Sequence, residues 1–209
     1  MSCRSVWRGP ARARGFTLLE TLLVVAIIGV LAAIALPMSG NAIRYAKISG
    51  DSRDLTNDLA VAKMRAAAKF TQARVYADLS GNAYYIQTCD TPATTPCPSW
   101  TTDGGTNYLS NTVSFRYSPV SAPPANTQTT IGQAGNCLNN ASPPVAVANT
   151  ACIIFNSRGI PVDTAGTPTG AYGFYISDGT FVYGITVAAT GFIRSWRTND
   201  TTTPTWTQQ

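Results

Sequence analysis

Residues Phe16 to Leu36 read FTLLETLLVVAIIGVLAAIAL, 21 positions that are apolar with few exceptions. As an α-helix rising about 1.5 Å per residue, such a run spans roughly 31 Å, close to the hydrocarbon thickness of a bilayer. It has the length to cross a membrane once. Arg4, Arg8, Arg12 and Arg14 precede it and the next basic residue is Arg44, which predicts a cytoplasmic N-terminus and an extracytoplasmic chain after Pro37. A secretory signal peptide is a weaker reading: Ala33-Ile34-Ala35 resembles a cleavage site, but the apolar run exceeds the usual range of about 7–15 residues. A plain signal anchor leaves Glu20 without a reason. An ionised carboxylate at that depth costs on the order of 2.5–3.5 kcal/mol even on the lenient insertion scale, so it implies a partner carrying positive charge.

Charge elsewhere narrows the alternatives. The net +5 owes most to the four leader arginines; after Gly15 the chain holds 11 basic and 10 acidic side chains, and beyond Tyr76 four arginines face six aspartates. Global charge therefore gives no support to a polyanionic partner. Cys3 lies in the leader, whereas Cys89, Cys97, Cys137 and Cys152 form an even set in a loop-rich distal half. Downstream of a membrane signal, such a set predicts disulfides rather than zinc. Four cysteines allow three connectivities, and neighbour pairing, Cys89 with Cys97 and Cys137 with Cys152, is the expected one because it staples two long loops locally.

Gly15-Phe16-Thr17-Leu18-Leu19-Glu20 followed by TLLVVAIIGVLAAIALP resembles the class III signal of type IV prepilins and type II secretion pseudopilins. The resemblance implies cleavage after Gly15 by a prepilin peptidase, methylation of the new Phe16 amino group, and pairing of Glu20 with the Phe16 ammonium of a neighbouring subunit in a filament. Two buried charges that meet remove a penalty each would carry alone. It also implies a bacterial inner-membrane precursor with a single pass, later drawn into a pilus or pseudopilus among other pilins.

After an expected break at Pro37-Met38-Ser39-Gly40, Leu55, Leu59, Ala62, Ala66 and Phe70 recur at helical spacing, with Asp51, Arg53, Asp54, Asp58, Lys63 and Lys69 off the stripe. Lys69 and Arg74 are read as cations near the end of this helix. Strands are predicted at Ala73–Asp78, Ala83–Thr88, Val113–Ser118, Ala151–Asn156, Tyr172–Ser177, Phe181–Val187 and Phe192–Arg197. Asp178-Gly179 reads as a hairpin turn and the last three strands as a meander. Residues 90–111 and 120–150 are expected to be long loops, and 198–209 a polar tail. The predicted class is α+β: a basic leader (1–15), a membrane-spanning or filament-core helix (16–36), its amphipathic continuation (37–75), and an antiparallel β-rich head (76–209).

The run Leu59 to Ala68 leading into Arg74-Val75-Tyr76, then Ile153-Ile154-Phe155-Asn156-Ser157-Arg158-Gly159 and Gly191-Phe192-Ile193-Arg194, resembles the GspH/FimT pseudopilins. That implies a minor subunit, structural or assembly-priming. The same resemblance raises a second possibility, since competence pilins of the FimT branch bind DNA through a C-terminal glycine-arginine motif. Here Phe192 occupies the first arginine position, leaving Arg194, Trp196 and Arg197 as candidates for phosphate contact and base stacking. An edge strand carrying solubilising arginines is the plainer reading of those three.

Enzymatic parts are missing from the sequence. There is no histidine, hence no imidazole base, and no P-loop or dinucleotide fingerprint. Asp163 and Asp178 lack the spacing of a calcium loop, and scattered aspartates read as turn caps. No cofactor or metal is expected.

Overall fold

The computed structural model describes residues 15–91, 96–199 and 201–209, with the side chains at 34–39 and 41 set aside. The leader, including Cys3 and its four arginines, lies outside the described residues. Two compact units make up the chain, Met1–Ile43 and Arg44–Gln209.

Helix α1 (Leu18–Ala68) begins in the first unit and ends in the second. Its backbone is helical through Pro37, where the sequence predicts a break. Proline removes one hydrogen bond of a ladder that long helical runs on both sides maintain. Within the first unit Leu18, Leu22, Val25, Ile28 and Leu31 are all exposed.

In the second unit the predicted stripe is largely correct, because Leu55, Leu59, Ala62 and Ala66 are fully buried together with Ile48. Phe70 is not part of it. The helix ends two residues earlier in a Schellman arrangement, with Thr71 N–H donating to Ala66 O (3.1 Å) and Phe70 N–H to Ala67 O (3.3 Å). Phe70 takes the left-handed position at φ 51° and is 78% exposed. Arg74 likewise leaves the helix: it lies in β1 and is buried, and the basic residue of the last turn is Arg65.

Ten strands follow: β1 Ala73–Asp78, β2 Ala83–Cys89, β3 Trp100–Thr102, β4 Asn107–Tyr108, β5 Thr150–Phe155, β6 Pro161–Val162, β7 Tyr172–Ser177, β8 Phe181–Val187, β9 Ile193–Asn199 and β10 Thr207–Gln208. They form two antiparallel sheets, one ordered β3-β2-β1-β5-β6 with β4 also on β2, the other β10-β9-β8-β7. Strand alternation gives each sheet an inner face toward the helix stripe, with Val75, Ile86, Ile153, Phe155, Phe174, Ile176 and Ile185 in one continuous core. The outer face of the first sheet carries a second cluster of Trp100, Ile154, Val162 and the four cysteines. The outer face of the second carries Tyr175, Val182 and Val120, flanked by Trp206.

Several expectations need correction. Val113–Ser118 is not a strand; Thr112 turns the chain at φ 82°, and only Ser114 pairs, by an isolated bridge to Ser177. Short strands β3, β4 and β10 lie in segments read as loops or tail, where threonine-rich composition hides pairing set by distant partners. The last strand of the meander begins at Ile193 and extends to Asn199, and the boundary drawn at residue 75 falls inside β1.

Candidate functional site

The first candidate site is the start of α1. Gly15 and Phe16 precede the helix and are exposed, Phe16 by 77%, and the space around Gly15 is open. Thr17 is the N-cap: its hydroxyl accepts the backbone N–H of Glu20 at 3.2 Å, and its carbonyl accepts that of Thr21 at 3.1 Å. Thr17-Leu18-Leu19-Glu20 therefore has the spacing of a capping box, with Glu20 in the first turn where a carboxylate complements the helix dipole. Sequence reasoning missed this local role, although Thr-x-x-Glu ahead of an apolar run is its usual signature. The Gly15–Phe16 bond therefore lies on an accessible, non-helical approach to the helix, ahead of a first turn that carries an exposed acid.

Residues 10–36 match the prokaryotic N-terminal methylation motif. The N-terminal segment thus carries a methylation motif of the prepilin type. Among solved structures, the chain resembles the minor pseudopilin EpsH from the type 2 secretion system of Vibrio cholerae at 8% identity, over 78% of this chain and 96% of that one, with a TM-score of 0.36. No curated protein matches the sequence. Among the described residues no helix is long and apolar enough to cross a membrane; the expected span, 16–36, runs past residue 33 into positions whose side chains are not described.

The second candidate site lies on β9. Period-two alternation splits the predicted trio. Arg194 and Trp196 lie opposite Thr186 and Gly184 on the outer face, whereas Arg197 lies opposite Tyr183 on the inner one. Arg197 donates to the Tyr45 hydroxyl (3.0 Å) and its guanidinium lies 5.5 Å and 5.6 Å from the ring centroids of Tyr45 and Phe181. The indole N–H of Trp196 is spent on Thr186 Oγ1 at 2.9 Å. Arg194 stands over the exposed Phe192 ring (5.3 Å) and lines a cavity of about 410 Å³ with Asn126, Thr127 and Ala171. One outward guanidinium beside one free ring is a small cationic patch, less than the three-residue cluster expected.

The four distal cysteines form the pairs Cys89–Cys97 and Cys137–Cys152. They share the outer face of the first sheet with Arg74, whose guanidinium sits 4.1 Å over Trp100 and donates to Gln87 Oε1 (2.8 Å) and Leu138 O (3.0 Å). Burial lowers its pKa to about 10. Gln87, the Leu138 carbonyl and the Trp100 ring are all neutral, so this cation fixes the outer cluster through hydrogen bonds and ring faces.

Aspartates close turns. Asp78 Oδ1 accepts from Ser80 and Gly81, Asp163 Oδ1 from Ala165 and Thr167, and Asp178 Oδ1 from Thr180 and Phe181. The Ser80 hydroxyl first, then the Gly81 N–H, holds Asp78 below the usual carboxylate range. Polar side chains strap the segment after β3 to α1: the helix acid Asp51 accepts the Ser110 N–H and hydroxyl (both 2.9 Å), Asp58 accepts Asn107 (2.8 Å), and Asp103 of the segment pairs with Arg65 (3.0 Å) and Lys69 (2.7 Å) at the helix end. Burial is the main force on Asp51 and Asp58 and pushes both carboxyls up. Among the described residues, no group of three or more potential metal ligands converges.

Proposed function

We propose that this chain is a minor pilin or pseudopilin, a structural or assembly-priming subunit of a type IV pilus or type II secretion pseudopilus. The prepilin-type motif over residues 10–36, with Gly15 and Phe16 accessible ahead of a capped apolar helix, carries this reading. Prepilin peptidase cuts between Gly15 and Phe16 in the inner membrane, where the apolar run holds the precursor with its head outside. The Glu20 carboxylate then meets the Phe16 ammonium of a neighbouring subunit, and the exposed apolar side chains of α1 find cover in the filament. Exposed leucines and isoleucines along residues 18–31 of the helix need such cover, whether lipid or other helices. The head has its own core, so it serves as a folded body carried by that helix.

The test is the mass and N-terminal sequence of the mature chain from its native cell. A methylated Phe16 terminus is expected, and a chain starting elsewhere overturns the reading. A DNA-binding role gains little from β9, because Arg197 is held by Tyr45 and Phe181 and leaves Arg194 as the outward cation of the trio.

A further inference from the structure

An antiparallel sheet exposes unpaired N–H and C=O groups on its outer strands, and these recruit strands of other copies unless something covers them. On β7 the outward-facing residues are Gly173, Tyr175 and Ser177. Gly173 O accepts the Ala134 N–H (2.8 Å), and Ser177 exchanges two backbone bonds with Ser114 (2.9 and 3.0 Å). Between them no backbone reaches Tyr175. A side chain does: Gln133 accepts the Tyr175 N–H on Oε1 (2.9 Å) and donates from Nε2 to Tyr175 O (2.7 Å). The same device recurs on the other sheet. At outer strand β3, Asn140 Oδ1 accepts the Trp100 N–H (3.0 Å) and Asn140 Nδ2 donates to Trp100 O (3.2 Å).

A primary carboxamide has the donor and acceptor of a peptide group, so each side chain stands in for one residue of a missing strand. Both come from residues 109–149, the long connection between β4 and β5. We propose that Gln133 and Asn140 are edge guards that keep β7 and β3 from pairing with strands of a second copy.

The test uses the full chain in detergent micelles. It compares the unsubstituted protein with Gln133→Leu, which keeps volume and removes both bonds, and with Gln133→Glu, which keeps the acceptor and adds an edge charge that disfavours strand pairing. Hydrogen exchange at the Tyr175 amide and light scattering across about a tenfold concentration range are read on all three. Exchange about tenfold faster is expected in Gln133→Leu, with a mass that rises with concentration beyond that of the unsubstituted chain, while Gln133→Glu keeps the unsubstituted mass. Faster exchange without added association overturns the proposal, and so does equal association of the two variants, which marks general loosening. Loss of folding in Gln133→Leu makes Gln133 a fold-holding residue and removes the guard role at β7. Asn140→Leu, read at the Trp100 amide, decides β3 by the same outcomes.

Discussion

Lys63 Nζ donates to the carbonyl of Gly191 at 2.9 Å, joining the helix to the turn between β8 and β9. The loop after β5 arrives at the same point: a Cβ on Gly159 would lie 2.8 Å from Lys63 Cε, and a Cβ on Gly191 would collide with the Gly159 carbonyl. Both glycines are left-handed, at φ 70° and 77°. One lysine stem and two glycines therefore hold the helix and one turn from each sheet in contact; Gly191 has no room for a side chain, and one on Gly159 would displace the Lys63 stem.

Gly191→Ala should destabilise the head by about 2–4 kcal/mol, combining left-handed strain with a backbone clash. Lys63→Met keeps the stem and orphans the carbonyl, at a cost of about 1 kcal/mol. Urea titrations followed by tryptophan fluorescence give both values. Equal, small effects would show that the junction yields.

The junction marks where sequence reading reaches its limit. Gly191 and Gly159 are visible as turn residues, and the 3.6-residue stripe of Leu55, Leu59, Ala62 and Ala66 identifies the buried helix face. That the two turns meet over Lys63, more than 90 residues from either, is a tertiary fact with no local signal. Gln133 and Asn140 likewise read as ordinary loop polar residues until the strands they cover are known. The division of Arg194 and Trp196 from Arg197 was legible, since neighbours on a strand face opposite ways. Phe70 misled because its spacing continued the stripe past a helix end that only the backbone reveals.

The strap along α1 has a pH signature. Burial raises the Asp51 carboxyl above its ordinary value of 3.8, so the folded chain binds a proton more tightly there than the unfolded chain does. The sign follows directly: stability from this group is greatest at low pH and is lost as pH rises from 3.8 through the folded pKa. Asp51→Asn keeps an acceptor for Ser110 and removes the charge. From pH 3.5 to about pH 7, Asp51→Asn should lose less stability, or gain more, than the unsubstituted chain, and parallel curves would rule out a contribution from Asp51.

The two disulfides close loops of different length, with sequence separations of 8 for Cys89–Cys97 and 15 for Cys137–Cys152. Loop-closure entropy assigns about 2.5 kcal/mol to the first and about 3 kcal/mol to the second. Paired Cys→Ser variants should therefore both lower the unfolding midpoint, the Cys137/Cys152 pair more. Both bonds cluster with Trp100, on which Arg74 stacks, so either loss should also loosen that cation–π contact, read as a shift in tryptophan emission. Unshifted emission in both variants would separate the bonds from the arginine site.

Glu20 has a local role at the helix start and a proposed one between subunits, and the two are separable by chemistry. Its place in the first turn, three residues after the Thr17 cap, calls for a carboxylate or carboxamide, because either completes a capping box. Pairing with a neighbour's ammonium calls for charge alone. Glu20→Gln keeps the first requirement and removes the second, while Thr17→Ala weakens the helix start by about 1 kcal/mol and leaves the charge. Cleavage after Gly15 should proceed in both variants, since neither alters the accessible bond. Filament incorporation, measured as the share of the mature chain in sheared filaments, should drop at least tenfold in Glu20→Gln and only slightly in Thr17→Ala. The reverse order would make Glu20 a helix-start residue and leave the proposed inter-subunit pair without a function.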